Sequence, residues 1–364
     1  MRIICFHPAL APYRVDFFNL LAEKAELKIL FLQHNLITQK FDQDALRGEL
    51  KCRHGELTRG FDIRQRTIRF GIMRAVRKEA PDVVFSYEAS PVTLELCILK
   101  KLHLIRSRIW TSMDDSPDLI KSRCGFRRFL RDWVLRNVDR IIVPSKAAAD
   151  AYLSLPTNHY PLSNNHYFVV PIIHDTETMR KNAGRIYEEG SAWRDANCPK
   201  AWKRVLVFVG RLAEIKNIPW IIDRLAELPV TTGLVVVGEG PMESTLKSKV
   251  AEMRLEGRVM FAGRKNGDEL YSIMAASDSL VLASKSEPFG AVVAEALAWG
   301  TPCLVSDNCG AAVLIEDGKN GAVFRYGDRE DFKSALARLS KRSGESLLSV
   351  ELRDAVAELV EAHR

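Results

Sequence analysis

The sequence predicts an α/β protein built on two parallel sheets. Three observations carry that expectation. Short β-rich apolar runs alternate with helical stretches along both halves of the chain. Several of these runs are apolar throughout, as strands buried on both faces are. The chain has 364 residues, 47% of them hydrophobic, where one domain ordinarily takes roughly 100–200.

In order, the first half reads as strands at Ile3–Phe6, Leu27–Leu32, Val83–Ser86, Arg108–Thr111, Arg140–Val143 and Tyr167–Val170. The second half reads as strands at Arg204–Val209, Leu234–Val237, Val259–Ala262, Ser279–Leu282 and Cys303–Ser306, with a short one at Ala322–Phe324. Between the halves, Asp175–Lys203 is mostly polar, and Asn182-Ala183-Gly184 and Asn197-Cys198-Pro199 punctuate it. The expected organisation is therefore a domain over 1–174, a linker over 175–203 and a domain over 204–345. A helix over 346–364, with Leu347, Val350, Leu352, Val356, Leu359 and Val360 apolar, is placed to pack back on the first domain.

Composition excludes several classes. The longest apolar runs fall far short of the ~20 residues a membrane span needs. The first residues lack the apolar length and small-residue cleavage site of a signal peptide. Seven scattered cysteines without a Cys-x-x-Cys pair indicate neither a disulfide framework nor a zinc site. The expectation is a cytoplasmic protein. Its formal charge of +7 permits an anionic partner without requiring nucleic acid.

Four segments could carry chemistry. Ser286-Glu287-Pro288-Phe289-Gly290-Ala291-Val292-Val293-Ala294-Glu295 sets two carboxylates eight residues apart where a loop becomes a helix. Free backbone N–H groups and the positive helix end make that junction an anion site, and Gly290 lets a phosphate come close. Read alone, the two acids are equally an ordinary helix start and a solvated face. Val209-Gly210-Arg211 ends a strand, and Lys216 follows five residues later; Arg211 can bridge phosphate oxygens and Lys216 adds a point charge. Val237-Gly238-Glu239-Gly240 is half of a Gly-x-Gly-x-x-Gly fingerprint, with Glu243 at the third position, so the dinucleotide-dehydrogenase reading is set aside. Phe261-Ala262-Gly263-Arg264 is a further strand end. All four fall at the carboxyl ends of expected parallel strands, where open α/β sheets bind ligands.

As an ordered set over about residues 204–335, these segments resemble the donor half of the family-4 retaining glycosyltransferases, the glycosyl transferases group 1. Trp299-Gly300-Thr301-Pro302, Ser306-Asp307-Asn308-Cys309-Gly310 and Gly318-Lys319-Asn320-Gly321 continue the pattern. The resemblance implies the GT-B fold, two Rossmann-like parallel-sheet domains facing each other across a cleft. It implies transfer of a sugar from a nucleotide diphosphate sugar to an acceptor hydroxyl with retention. Arg211 and Lys216 would then hold the diphosphate, and Gly210 would permit close approach. Backbone groups around Pro288, Phe289, Gly290, Ala291 and Val292 would assist. Glu295 would bind the ribose, Glu287 the transferred sugar, and Arg264 would border the base. No protein nucleophile, cofactor or metal is implied. Asp114-Asp115 is the nearest thing to a metal signature.

The acceptor half is less informative. His7-Pro8-Ala9-Leu10-Ala11-Pro12-Tyr13-Arg14 stands where many relatives carry a Gly-rich loop, which leaves the acceptor type open. His7, Arg14 and Asp115 are the candidate acceptor contacts, and Asp114 is the candidate catalytic residue beside the transferred sugar. His174 reads as a hinge residue. From Lys121 to Arg140, seven basic residues accompany a stripe of Phe126, Phe129, Leu130, Trp133 and Val134. That is a basic amphipathic helix suited to an anionic bilayer, or to packing its stripe on the sheet. The expected partners are a nucleotide sugar, a saccharide or lipid-linked acceptor, and the inner face of the cytoplasmic membrane. A nucleotide-sugar epimerase, an inactive scaffold of the same fold and a nucleic-acid binder are the competing readings. The intact Arg211, Lys216, Glu287 and Glu295 set weighs against them.

Overall fold

The structure is a computed structural model that describes residues 1–35, 41–63, 66–115, 120, 125–155, 166–287 and 289–362. It divides into two compact units, Met1–Asp175 with Leu352–Arg364, and Thr176–Glu351.

The first unit contains β1 (Arg2–His7), β2 (Glu26–Phe31), β3 (Arg53–Glu56), the hairpin strands β4 (Gly60–Ile63) and β5 (Arg66–Arg69), then β6 (Val83–Tyr87), β7 (Arg108–Ser112), β8 (Arg140–Val143) and β9 (Tyr167–Val169). Its main sheet runs β3-β2-β1-β6-β7-β8-β9, and every pair is parallel. Ile3, Ile4, Cys5 and Phe6 are all buried, which explains why β1 shows no alternation. The order turns back at β1, which has β2 on one side and β6 on the other, so the crevice expected of such sheets opens beyond His7 and Tyr87.

The helix Pro12–Lys24 starts on a proline, whose fixed φ and missing N–H suit a first turn. It buries Val15, Phe17, Phe18, Leu20 and Leu21. The helix Leu352–Glu361 packs against it through Leu352, Val356, Leu359 and Val360, spaced to share one face. Each such side chain contributes about 1.5–3 kcal/mol on burial. Arg353 fixes the return with a two-pronged contact to Asp175, at 2.6 and 2.9 Å.

The second unit contains β10 (Arg204–Val209), β11 (Thr232–Val237), β12 (Val259–Gly263), β13 (Ser279–Leu282), β14 (Cys303–Ser306) and β15 (Gly321–Phe324). They form an all-parallel sheet in the order β12-β11-β10-β13-β14-β15, which turns back at β10. The two units thus repeat one doubly wound plan.

The structure departs from the sequence expectation in three places. The segment read as a linker over 175–203 is mostly helical and, from Thr176 on, belongs to the second unit. The helix Ala183–Asn197 lies on the helix Gly267–Ala276. A Cβ at Gly190 would stand 2.5 Å from the Ser272 carbonyl oxygen, so the two backbones nearly touch. Arg194 adds bonds to Asp278 and to the Ala276 carbonyl. Asn182 and Pro199 bracket this helix rather than interrupt a linker.

The basic helix is described over Gly125–Leu135; residues 121–124 of the expected span lie outside the described residues. Its inward side is Val134, Leu135 and Arg131. Phe126 and Phe129, expected in the packing stripe, are 72% and 63% exposed and stack on each other with centroids 6.4 Å apart. Arg131, counted among the basic face, is buried, donates to the Ile120 carbonyl at 3.1 Å and lies over the Tyr152 ring. Finally, β3 and the hairpin β4–β5 had no counterpart in the sequence expectation, because these short polar strands carry no apolar run.

Candidate functional site

In the second unit, three strand ends are bound edge to edge. The Gly210 N–H donates to the Val237 carbonyl at 3.0 Å, the Gly238 N–H to the Gly263 carbonyl at 2.8 Å, and the Leu212 N–H to the Glu239 carbonyl at 2.9 Å. Gly238 has φ +140°, and a Cβ there would lie 1.9 Å from the Gly210 carbonyl oxygen. The glycines of the half fingerprint therefore serve backbone-to-backbone packing. Arg211 and Arg264 leave the ends of β10 and β12 as exposed side chains.

Lys216 closes a short turn, Glu214–Lys216, and its ammonium donates to Glu287 Oε2. The two side chains are mostly buried, at 18% and 13% exposure. Glu287 is fixed from the other side by a miniature ladder. Its N–H donates to the Asn308 carbonyl at 3.1 Å, and its own carbonyl accepts from Gly310 N–H at 2.9 Å. The Phe289 carbonyl accepts from Ala311 N–H at 2.6 Å and from the Cys309 thiol at 3.2 Å. Burial and the nearby Glu287 charge push that thiol up to about 12, so it remains a neutral donor. Ser284 Oγ stands 3.5 Å from Glu287 Oε2.

Gly290, at φ +91°, caps the helix Ala291–Ala298. The first intrahelical N–H is that of Val293, bonded to the Gly290 carbonyl at 2.9 Å. The Ala291 and Val292 N–H groups thus precede the ladder and point out of the helix end. Glu295 is half-buried one turn further on. Pro288 lies outside the described residues. Lysine, glutamate and the helix start together form a compact polar end at the sheet's turning point, suited to a diphosphate joined to a hydroxylated group.

In the first unit, the structure joins Arg14 to Asp114. Nη2 of Arg14 meets Asp114 Oδ2 at 2.5 Å and Ser112 Oγ at 3.4 Å. Tyr87 donates its hydroxyl to the same Oδ2 at 3.0 Å, and Ser112 donates to Oδ1 at 2.9 Å. Burial opposes both charges, and each outweighs that penalty for the other. Arg14 therefore holds Asp114 below the usual carboxylate range, and Asp114 raises Arg14. His7 stands beside them, 7% exposed, with its ring against Phe18 and Tyr87. Burial first, and the Arg14 charge second, lower its pKa to about 3, so the imidazole is neutral. Its Nδ1 meets no donor or acceptor at hydrogen-bond geometry among the described residues.

Asp115 is not part of this group. It is 4% exposed, and its carboxylate accepts from Tyr152 OH at 2.9 Å in the unit's interior. Burial and this partner turn it from an acceptor contact into a packing residue. His174 Nδ1 lies 3.0 Å from Asp16 Oδ2. Tyr87, Ser112, Ser284 and Cys309 were not singled out from the sequence. Tyr87 and Ser112 close β6 and β7, and that strand-end position was the available signal.

Residues 191–358 match the family model described as Glycosyl transferases group 1. The lipopolysaccharide core biosynthesis glycosyltransferase LpsE of Rhizobium meliloti (strain 1021) is 31% identical over 164 residues, 42% of this chain and 47% of the relative. The D-inositol 3-phosphate glycosyltransferase of Corynebacterium aurimucosum is 27% identical over 237 residues, 63% of this chain and 53% of the relative. The chain spans about half the length of these curated relatives. Among solved structures, the apo lipopolysaccharide outer core galactosyltransferase WaaB aligns with TM-score 0.69 at 18% identity, over 99% of this chain and 95% of that one. Anabaena HepE in complex with UDP aligns with TM-score 0.71 at 17% identity, over the same shares. The fold is the GT-B architecture.

Proposed function

We propose that this chain, whose residues 191–358 match the glycosyl transferases group 1 family model, transfers a sugar from a nucleotide diphosphate sugar to an acceptor hydroxyl during assembly of a cell-surface saccharide or glycolipid. The observation that carries this reading is the Lys216–Glu287 pair set at the turning point of the second sheet, next to the open helix end at Gly290. The HepE relative was solved with UDP, and separately with UDP-glucose, which supports a nucleotide sugar as donor.

The chemistry follows from the groups present. Lysine offers three N–H donors, so Lys216 can keep Glu287 and still reach a phosphate oxygen. Arg211 and the Ala291 and Val292 N–H groups add donors for the diphosphate, and Glu295 takes the ribose. Glu287 accepts from hydroxyls of the transferred sugar. As the sugar C–O bond to phosphate breaks, negative charge grows on the leaving oxygen, where fixed cations are worth most. The acceptor oxygen bonds to the same face of the sugar, and its proton passes to a leaving-phosphate oxygen. Configuration is retained without a protein nucleophile, unlike the paired-carboxylate hydrolases. Arg211 and Lys216 supply the positive charge, so we read the reaction as metal-independent.

Asp114 and His7 serve the sugar and acceptor. With three donors on Asp114, the carboxylate is an oriented acceptor rather than a base. A membrane-held acceptor is supported by the helix Gly125–Leu135, which presents the stacked Phe126–Phe129 pair beside Arg127 and Arg128.

The test is a donor screen. Purified protein is incubated with individual nucleotide sugars, with and without EDTA, and nucleotide release is measured beside thermal shifts with nucleoside diphosphates. One diphosphate should stabilise the protein, its sugar should be turned over, and chelation should leave the rate unchanged. No shift with any diphosphate and no turnover would overturn the reading, and loss of turnover on chelation would overturn its metal-independent part.

A further inference from the structure

The first unit carries a pocket at the amino-terminal ends of β6 and β7, the end of the sheet opposite Asp114. It has a volume of about 500 Å³, within the range of small-molecule sites. Its walls are the end of the helix Ile72–Glu79, the turn at Ala80–Asp82 before β6, and Leu104–Arg108 leading into β7. Strand β7 runs from Arg108 to Ser112, so about 13 Å of extended chain separates this pocket from the Ser112–Asp114 end.

The lining is one-sided in charge. Arg77 reaches it from the helix Ile72–Glu79, and Arg106 and Arg108 from the segment leading into β7, against a single acid, Asp82. Asp82 is already engaged, since Oδ2 accepts the Arg2 backbone N–H at 2.7 Å. The neighbouring Glu79 faces away, toward Lys28 and Arg53. Arg77 and Arg106 have no ion pair or side-chain hydrogen bond among the described residues. Several guanidinium groups around one pocket can take phosphate oxygens in forked pairs.

An exposed apolar side chain lies in the lining, Leu104 at 42% exposure, and Leu102, two residues before it in the chain, is 61% exposed. Two non-glycine residues hold left-handed backbone beside the pocket, Ala80 at φ 43° and His103 at φ 57°. Such strain persists where the surroundings fix it, often around ligands.

We propose that this pocket is an anion site for a phosphate ester, held by Arg77, Arg106 and Arg108, with Leu102 and Leu104 flanking the remainder of the ligand. The phosphate belongs either to a soluble ester or to a phospholipid headgroup. The site is separate from the transfer chemistry and stands or falls without it.

The experiment uses the whole protein. Glycerol 3-phosphate is titrated calorimetrically, and co-sedimentation is measured with vesicles of phosphatidylcholine alone or with phosphatidylglycerol. The variants are Arg77→Gln/Arg106→Gln, Leu102→Ser/Leu104→Ser and Phe126→Ser/Phe129→Ser. A soluble ester as ligand gives saturable binding that the double arginine variant weakens tenfold or more. A headgroup gives sedimentation with phosphatidylglycerol only, lost in the arginine variant and reduced in the leucine variant. Either result supports the pocket. No binding in both arms overturns it. So does binding that survives Arg77→Gln/Arg106→Gln, including vesicle binding that only Phe126→Ser/Phe129→Ser abolishes. Unchanged thermal midpoints for the arginine variant show that loss of binding is not loss of fold.

Discussion

Arg14 and Asp114, a hundred positions apart in sequence, meet at 2.5 Å with side chains 6% and 16% exposed. Neither charge has water to fall back on. The pair links the first helix of the unit to the end of β7, so the residue proposed beside the sugar is also a structural joint.

That joint makes a definite prediction about stability. Arg14→Met or Asp114→Leu alone strands the opposite buried charge and should cost about 3–5 kcal/mol in urea unfolding. The double variant should recover most of that loss, because an apolar pair replaces a buried ion pair at little cost. All three variants should lose turnover. A double variant as unstable as the sum of the singles would refute the coupling.

His7 sets a pH dependence. Its folded pKa is about 3, against an ordinary value near 6.5. Between those values the unfolded chain takes up a proton that the folded unit refuses. Stability is therefore complete above about pH 6.5 and falls as pH drops toward 3, by up to about 1.4 kcal/mol per unit. Unfolding midpoints from pH 7 to 4 should show this slope, and His7→Gln should flatten it.

Lys216→Ala and Glu287→Ala should each lower turnover by about 10²–10³-fold, the usual worth of one aimed donor or charge. Circular dichroism should be unchanged, since both residues sit at a sheet end rather than in the core. Near-normal rates in either variant would remove the pair from the mechanism.

Gly238→Ala and Gly290→Ala should separate two uses of glycine. At Gly238 a methyl would run into the Gly210 carbonyl, with the oxygen 1.9 Å away, so the unit itself should be destabilised or fail to fold. At Gly290 the methyl meets Cys309 Sγ at 3.0 Å and Glu287 Cγ at 3.1 Å. That variant should remain folded, at about 1–2 kcal/mol lower stability for its left-handed backbone, and should lose affinity for the nucleoside diphosphate. Equal diphosphate binding in Gly290→Ala and the parent would argue against the helix end as the phosphate seat.

Apart from β3, the strands of both sheets were legible, most of them because burial on both faces writes them as apolar runs. The residues proposed to hold the donor stood out in the sequence because they lie at strand ends with telling spacing. What escaped did so for physical reasons. The helix Ala183–Asn197 docks through a bare backbone at Gly190 and the side-chain bonds of Arg194, and it buries only Ile186 and Gly190 fully, so it leaves no stripe to read. Arg14 was visible as a cation, but its burial depends on Asp114, which no local pattern announces. Tyr87 and Ser112 are single polar residues whose meaning comes only from the register that brings β6 and β7 side by side.

The first unit takes its final helix, Leu352–Glu361, from beyond the whole of the second. On the ribosome, the helix Pro12–Lys24 therefore waits for its cover while some 176 residues, Thr176–Glu351, are made. At about 5–20 residues per second that is a delay of roughly ten to thirty-five seconds. The second unit, contiguous in sequence, can mature during that interval. A nascent chain arrested before Leu352 should accordingly protect the later-made sheet from proteolysis while leaving the earlier-made one open at its Pro12–Lys24 face.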